Sequence, residues 1–449
     1  MKKNKELIFW LLFATIILGS LCFHNSAWYD ETFELLMNKQ DLKTTFEIII
    51  SDFTPFLYTL ILKVVTFLFG HSVIICRLVS LTFVLLCFVL IWKPIKRIFN
   101  QEIAFIMSVL LITSKATFFA ATEIRTYGLS MFMVLGSTVY LIDVIKNNKS
   151  WKLFLTFSIL ALFTHNYSTF YTFFLLIVGF IYIIKNKKEI LKRYLKYLAI
   201  IIGIYIPWVI FLLRQVSNIN SGFWITKPTL SLIRESIVYL FNSNKLSILF
   251  LIITILFGIY FYIKNKEKDY ALIILLPILL NTFGFILVSL YKTPMFIPKY
   301  LVNYFGPIIL FISILISKID FKWLTTITLI SLICASTFHY KYELSMANNN
   351  GLDSFELLEG KTLVHLGDFS LGVIDYYTEN TKHIFTKDSV SYLKTYKVFD
   401  NFEFNDEFKK LDDFCIVGAK LNNHTPYEKI LVGNRYTQQF IVNCYKKKE

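Results

Sequence analysis

Carboxylates and cations recur in this sequence where long apolar runs end, and their types suit one kind of chemistry. In "SAWYDETFELL", Ser26 to Leu36, the acids Asp30, Glu31 and Glu34 follow directly on an apolar run. Asp52 lies further along the same stretch, and Glu123 stands beside Arg125 in "EIRTYGLSMF". Lys63, Arg77, Lys227, Lys292 and Lys299 occupy similar boundary positions, as does His165 in "FTHNYSTF". Ionisable groups at a membrane boundary are costly and often functional. A carboxylate held within hydrogen-bond reach of a hydroxyl can take its proton. Lysine and arginine can bind a phosphate and stabilise its charge as it departs. Acid and cations together suit transfer of a sugar from a lipid phosphate to a hydroxyl. A single displacement of that kind inverts the anomeric centre.

Each residue also has a plainer reading. Acids after a first span usually form a solvated collar. Glu31 can charge a helix N-terminus, and Asp52 can cap a helix begun by Pro55. Arg125 can snorkel to the interface, Lys299 can anchor there, and His165 can simply pack at a helix end. Trp28 and Trp224 fit an aromatic belt. The choice between the two sets of readings depends on what positions these residues.

The chain has 449 residues, 55% of them hydrophobic, with a mean hydropathy of +0.57. The apolar residues come in blocks of membrane length, since about 20 residues cross the hydrocarbon core as a helix. This predicts a polytopic, all-α membrane protein of about eleven spans: 7–23, 73–92, 102–121, 127–145, 151–164, 168–184, 195–213, 246–263, 270–291, 300–317 and 321–338. The first run follows "MKKNK" without a small-residue cleavage site, so it reads as a retained helix.

With the N-terminus cytoplasmic, the inner connections become "KPIKRIFN", "KNNKSWK", "KNKKEILKRYLK", "KNKEKD" and "SKIDFK". All are basic, as the positive-inside rule requires. Residues 340–449 hold 14 of the 46 basic and 16 of the 31 acidic residues, a net of −2, so the membrane part carries the positive excess, +17 against +15 for the whole chain. It is an orientation signal, not a nucleic-acid footprint.

Counting 54–70, "TPFLYTLILKVVTFLFG", as a full crossing would put those loops outside. It therefore reads as an interfacial or re-entrant helix in one external loop, 24–71, which carries six acids. Segments 30–40 and 42–50 of that loop have apolar residues at helical spacing and are expected to be amphipathic helices. The domains are then 1–339, a membrane module, and 340–449, a small α/β domain external by parity. In the latter "KTLVHL", "FCIVGA" and "QFIVNCY" read as strands and "SLGVIDYYTEN" as a helix. It has no phosphate loop or nucleophile elbow. No cysteine pair has metal spacing. A Cys415–Cys444 bridge is compatible with an exported domain and stays open.

"WYDETF", "DFTPFLYTLILKVVTFLFG" and "EIRTYGLSMF" occur in the order and spacing of a known family. "HNYSTFYTF", "GFWITKP" and "FIPKYLVNYFGPIIL" fall where that family carries related segments. Over most of residues 1–310 the chain resembles the glycosyltransferase C superfamily, in its protein O-mannosyltransferase and lipid A aminoarabinose transferase branch. The resemblance implies a polyprenyl-phosphate-linked sugar donor and catalysis on the extracytoplasmic face. It implies Asp30 as general base with Glu31 beside it, and Arg125 and Tyr127 near the site. Lys299 and Tyr300 match a Pro-Arg-Tyr pattern whose arginine contacts the donor phosphate. Lysine there supplies charge without arginine's bidentate fork. The family's double proline is reduced to Pro55-Phe56. Arg77, Lys63, Asp52 and His165 complete the candidate substrate-binding set.

Some relatives use a divalent metal; no ligand set is evident here, which leaves metal dependence open. Expected partners are the lipid-linked donor, membrane lipids and an extracytoplasmic acceptor, with no nucleic acid. A lysine-rich, arginine-poor composition fits a low-GC genome and a bacterial plasma membrane. Two other functions stand beside this one. A transporter or flippase for lipid-linked sugars should bury charge near the midplane and show repeats between its halves. A scaffold would bind lipid phosphate only. The enzyme reading requires the acid pair and the cations to converge at one outward-facing site.

Overall fold

The computed structural model describes residues 4–52, 54–219, 225–265, 270–349, 351–386, 398–399, 402–421, 425–434 and 437–446. Trp224 and the two residues before it, which open the segment "GFWITKP", lie outside the described residues. The chain forms two compact units. One comprises Met1–Cys22, Phe53–Tyr58 and Arg77–Lys341; the other comprises Phe23–Asp52, Thr59–Cys76 and Tyr342–Glu449. Most of the loop 24–71 thus groups with residues 342–449 in this division.

In chain order the helices are α1 (Lys5–Gly19), α2 (Tyr29–Lys39), α3 (Leu42–Ser51), α4 (Leu57–Phe69) and α5 (Val73–Leu90). A π-helical turn, Ile91–Ile95, leads into α6 (Lys96–Ile98). Then follow α7 (Gln101–Thr113), α8 (Lys115–Thr122), α9 (Tyr127–Asn147), α10 (Trp151–Leu162), α11 (Asn166–Asn186) and α12 (Leu191–Ile219). The rest of the bundle is α13 (Leu232–Leu240), α14 (Lys245–Lys264), α15 (Ala271–Tyr291), α16 (Phe305–Ser317) and α17 (Lys322–Asn348).

Among the described residues eight helices are long and apolar enough to cross a membrane, and α7 with α8, bent by 67°, would make a ninth. With the shorter α1 and α10, these correspond one for one to the eleven expected spans. The α7–α8 bend needs no proline. Ser114 is extended between the two helices, and the N–H of Lys115 donates to the carbonyl of Phe241 at 2.8 Å instead of a helical partner.

The middle of the bundle is α9, whose apolar window is wholly buried. Its small residues allow this. A Cβ on Gly128 would stand 2.8 Å from the carbonyls of Ala120 and Ser80, and one on Gly136 only 2.1 Å from the Phe157 ring. Small residues let apolar helices approach where no water drives them together. Asp143, near the end of α9, is fully buried and accepts from Arg97 at 2.6 Å and from Asn147 at 2.8 Å. A buried carboxylate needs such partners.

In the second unit, α2 and α4 are joined by a polar ladder at helical spacing. Thr59 donates to Glu34 at 2.6 Å, Lys63 donates to the carbonyls of Asn38 and Gln40 at 3.0 and 2.6 Å, and Thr66 donates to the Asn38 amide oxygen at 2.7 Å. Among the described residues the C-terminal domain holds α18 (Asp368–Tyr377) and six strands: β1 (Thr362–His365), β2 (Lys382–Phe385), β3 (Phe402–Phe404), β4 (Asp413–Val417), β5 (Glu428–Val432) and β6 (Phe440–Lys446). Their order is β3-β2-β1-β4-β6-β5, parallel as far as β4 and antiparallel beyond it. Val364, Ile384, Phe414, Ile416 and Tyr445 form its core.

Cys415 lies opposite Cys444 across the β4–β6 pair and is bonded to it. The bridge closes a loop of 29 residues. Opening it with Cys415→Ser is expected to cost the domain about 3 kcal/mol. Faster proteolysis of residues 342–449, matched by the reduced parent, is the readout.

A second device in this domain is titratable. His365 Nδ1 meets Ser370 Oγ at 2.9 Å, and His365 Nε2 meets His383 Nδ1 at 2.9 Å. His383 Nε2 in turn lies 3.7 Å from the Asp375 carboxylate. Burial pushes His383 down to about 4 and His365 well below its ordinary value. The folded domain therefore refuses protons that the unfolded chain accepts below about pH 6.5. Stability is complete above that pH and falls as pH drops toward 4, by about 1.4 kcal/mol per unit for each imidazole. Thermal unfolding of the domain should shift downward between pH 7 and 5; a flat profile would contradict this.

Candidate active site

Three chain breaks of the helical unit bring its candidate residues together. The first separates α8 from α9, where α8 ends at Thr122 and Glu123 turns extended. Arg125 follows, its carbonyl accepting from Ser80 Oγ at 3.4 Å. Thr126 bonds the carbonyl of Thr164 at 2.9 Å, which ties this break to the second, between α10 and α11. There His165 caps α11, its Nδ1 accepting the Tyr167 N–H at 3.1 Å. The third break is the 3-10 segment Pro298–Tyr304, begun by a proline whose fixed φ suits a helix start. It carries Lys299 and Tyr300.

The rings show how close these segments come. His165 lies 5.3 Å from Tyr300 and 6.0 Å from Tyr127, and Tyr167 lies 4.8 Å from Tyr300. Tyr127 is buried against Phe119 at 5.0 Å. Tyr167 donates its hydroxyl to the carbonyl of Met295 at 2.8 Å. Burial, then the charges of Arg125 and Lys299, push His165 down to about 3. The imidazole is therefore neutral. Since Nδ1 is the acceptor, the proton sits on Nε2. His165 can donate a hydrogen bond there and cannot supply positive charge. Positive charge in this cluster comes from the half-buried Arg125 and Lys299.

The remaining cations differ in placement. Arg77, in the first turn of α5, is almost fully buried. Lys227 and Lys292 are exposed. Lys63 holds the C-terminal end of α2 through two carbonyls. Burial lowers its pKa, against the opposing pull of Asp41 and Glu34. Sequence reasoning grouped Lys63 with the phosphate binders, but its ammonium is engaged in fastening two helices.

The acids occupy the second unit. Asp30 and Glu31 form the first turn of α2, Asp30 half-buried and Glu31 buried. Glu31 accepts the Trp28 N–H at 3.4 Å, which is the helix-capping role foreseen for it. Asp52 closes α3, its N–H bonding Ile48 at 2.8 Å; it does not open α4, which begins at Leu57. Phe56 packs 5.0 Å from both Phe163 and Trp208, and the Leu57 N–H bonds the Phe163 carbonyl at 3.2 Å.

Sequence reasoning missed Tyr167, two residues beyond His165. It stood in a quoted segment and gave no further signal. Among the described residues no three His, Cys, Asp or Glu side chains are grouped to hold a metal ion, and no step below runs through one.

Residues 54–211 match the family model described as dolichyl-phosphate-mannose-protein mannosyltransferase. That stretch includes α4, Arg77, Arg125, Tyr127 and His165. No curated protein matches the chain. Two crystal structures of ArnT from Cupriavidus metallidurans share its fold. The one bound to undecaprenyl phosphate has a TM-score of 0.61 at 10% identity, covering 98% of either chain. The apo form has a TM-score of 0.64 at 11% identity, covering 99% of this chain and 98% of its own. In its central segment and in its fold this chain is similar to the glycosyltransferase C superfamily, in the branch of the protein O-mannosyltransferases and ArnT.

Proposed function

We propose that this protein is a membrane glycosyltransferase that moves a sugar from a polyprenyl-phosphate donor to a hydroxyl on an extracytoplasmic lipid, cell-wall glycan or protein. The observation that carries the proposal is the gathering of Arg125 and Lys299 around the neutral His165 at three helix breaks. Two half-buried cations beside tyrosine rings suit a phosphate whose attached sugar lies against an aromatic wall. The related ArnT structure bound to undecaprenyl phosphate supports a lipid phosphate as that ligand.

In this mechanism Asp30 takes the proton of the acceptor hydroxyl as its oxygen attacks the anomeric carbon. The bond from that carbon to the phosphate oxygen breaks, and its electron pair leaves on the polyprenyl phosphate. Arg125 and Lys299 stabilise the charge that gathers there. His165 Nε2–H donates to a phosphate or sugar oxygen without adding charge. Backside attack inverts the anomeric centre. The N-terminus is cytoplasmic and the C-terminal domain extracytoplasmic, an oxidising compartment that suits the Cys415–Cys444 bridge.

Mass spectrometry of envelope lipids and glycans from a deletion strain and its parent tests this reading. Loss of one glycosyl substituent, with accumulation of a polyprenyl-phosphate sugar on the outer leaflet, is the expected result. Accumulation on the inner leaflet would point to transport instead, and an unchanged envelope would leave only the scaffold.

A further inference from the structure

We propose that the C-terminal domain is the clamp that positions the acid pair, with α18 fixing the N-terminus of α2 through Tyr377, Phe369 and Gly372. The inference rests on the reading of Asp30 as the base and adds to it a task for residues 342–449.

Residues 23–28 have no regular structure. The helix start is held locally by Glu31, which accepts the Trp28 N–H. The hydroxyl of Tyr377, the last residue of α18, fastens the same stretch from the C-terminal domain. It accepts the N–H of Ala27 and donates to the carbonyl of Asn25 at 2.8 Å, bridging the backbone just before the acids. Tyr29, next to Asp30, packs 4.4 Å from the Phe369 ring. It can do so because position 372 is glycine. A Cβ there would meet the Tyr29 ring at 2.9 Å and the Phe399 ring at 3.1 Å.

The far end of α2 is gripped as well. Lys39 lies over the Tyr376 ring at 5.2 Å, and Gln40 donates to the carbonyl of Val398 at 3.3 Å. The clamp is itself braced, because Ser370 and Asp375 of α18 face the buried His365–His383 pair of β1 and β2. All these residues belong to one compact unit. The frame therefore runs from the sheet through α18 to the turn that presents Asp30 and Glu31.

A base must be held to a fraction of an ångström, and a misplacement of about 1 Å can cost about 10²-fold in rate. Tyr377→Phe removes both bridging bonds and keeps the ring, which packs 4.9 Å from Phe355. In the full-length protein in detergent, with lipid-linked donor extracted from the deletion strain, kcat should fall about 10- to 100-fold. The KM for donor and the unfolding temperature should not change, and amide exchange at residues 27–33 should accelerate. Gly372→Ala, which crowds Tyr29, should act in the same direction. Unchanged kcat with faster exchange would overturn the clamp's role in catalysis. A joint loss of kcat, donor KM and stability would reduce it to an ordinary structural contact. Failure of the parent reading would look different: Asp30→Asn would transfer normally, whatever the exchange at 27–33.

Discussion

Asp30→Asn should lower transfer by about 10²- to 10⁴-fold while leaving donor binding close to that of the parent, the range over which a positioned general base acts. The amide keeps the size and most of the packing of the carboxylate and loses only the capacity to take a proton. Asp30 stands in the first turn of α2, where a carboxylate also favours the positive end of the helix, so some stability goes with its charge. That contribution is about 0.3–1 kcal/mol for a group near the surface, far short of the expected kinetic loss. The two effects therefore separate in one preparation. Glu31→Gln is the contrasting variant: Glu31 receives the Trp28 N–H, so its change should disturb the helix start more than the chemistry. Full transfer by purified Asp30→Asn would remove Asp30 as the base. A transporter or scaffold should hardly notice the substitution.

Lys299→Ala should reduce kcat/KM for the donor by about 10- to 100-fold, because a charge-assisted hydrogen bond contributes about 1.5–3 kcal/mol. Part of the loss should appear in kcat, since charge on the phosphate grows as the sugar leaves. Lys299→Arg is the more telling substitution. The resemblance implies arginine at this position, and its fork can hold two phosphate oxygens where an ammonium acts as a point charge. Arg125, the other cation beside His165, supplies a guanidinium from a different break in the chain. If Arg125 provides the bidentate contact, Lys299→Arg keeps transfer near the parent level and Arg125→Lys does not. His165, at about 3, adds no titration step between pH 5 and 9. His165→Gln, which retains a donor, should therefore leave the shape of the pH profile intact. Donor turnover by Lys299→Ala at the parent's kcat/KM would contradict the phosphate assignment.

Several parts of this protein follow from local sequence. Apolar runs of membrane length, basic loops on alternate connections and the parity argument against 54–70 led to eleven spans, each of which corresponds to a helix or to the bent α7–α8 pair. The short apolar runs in "KTLVHL", "FCIVGA" and "QFIVNCY" became β1, β4 and β6. β2, β3 and β5 were not anticipated from sequence: "KHIF", "FEF" and "EKILV" each hold a charged or polar residue beside at most three consecutive apolar ones.

The sequence by itself determined which residue types stand at the helix ends, which connections carry the basic residues and where soluble composition begins. Hydropathy and charge are local properties, summed over windows of a few turns. Only the tertiary structure decided which of those residues share a neighbourhood. It drew Arg125, His165 and Lys299 together from three distant breaks, assigned Lys63 to holding the end of α2, paired Cys415 with Cys444 and joined α2 to α18. Such contacts span up to 358 residues of chain. They form when buried polar groups find partners across the fold, and no window along the sequence contains both members.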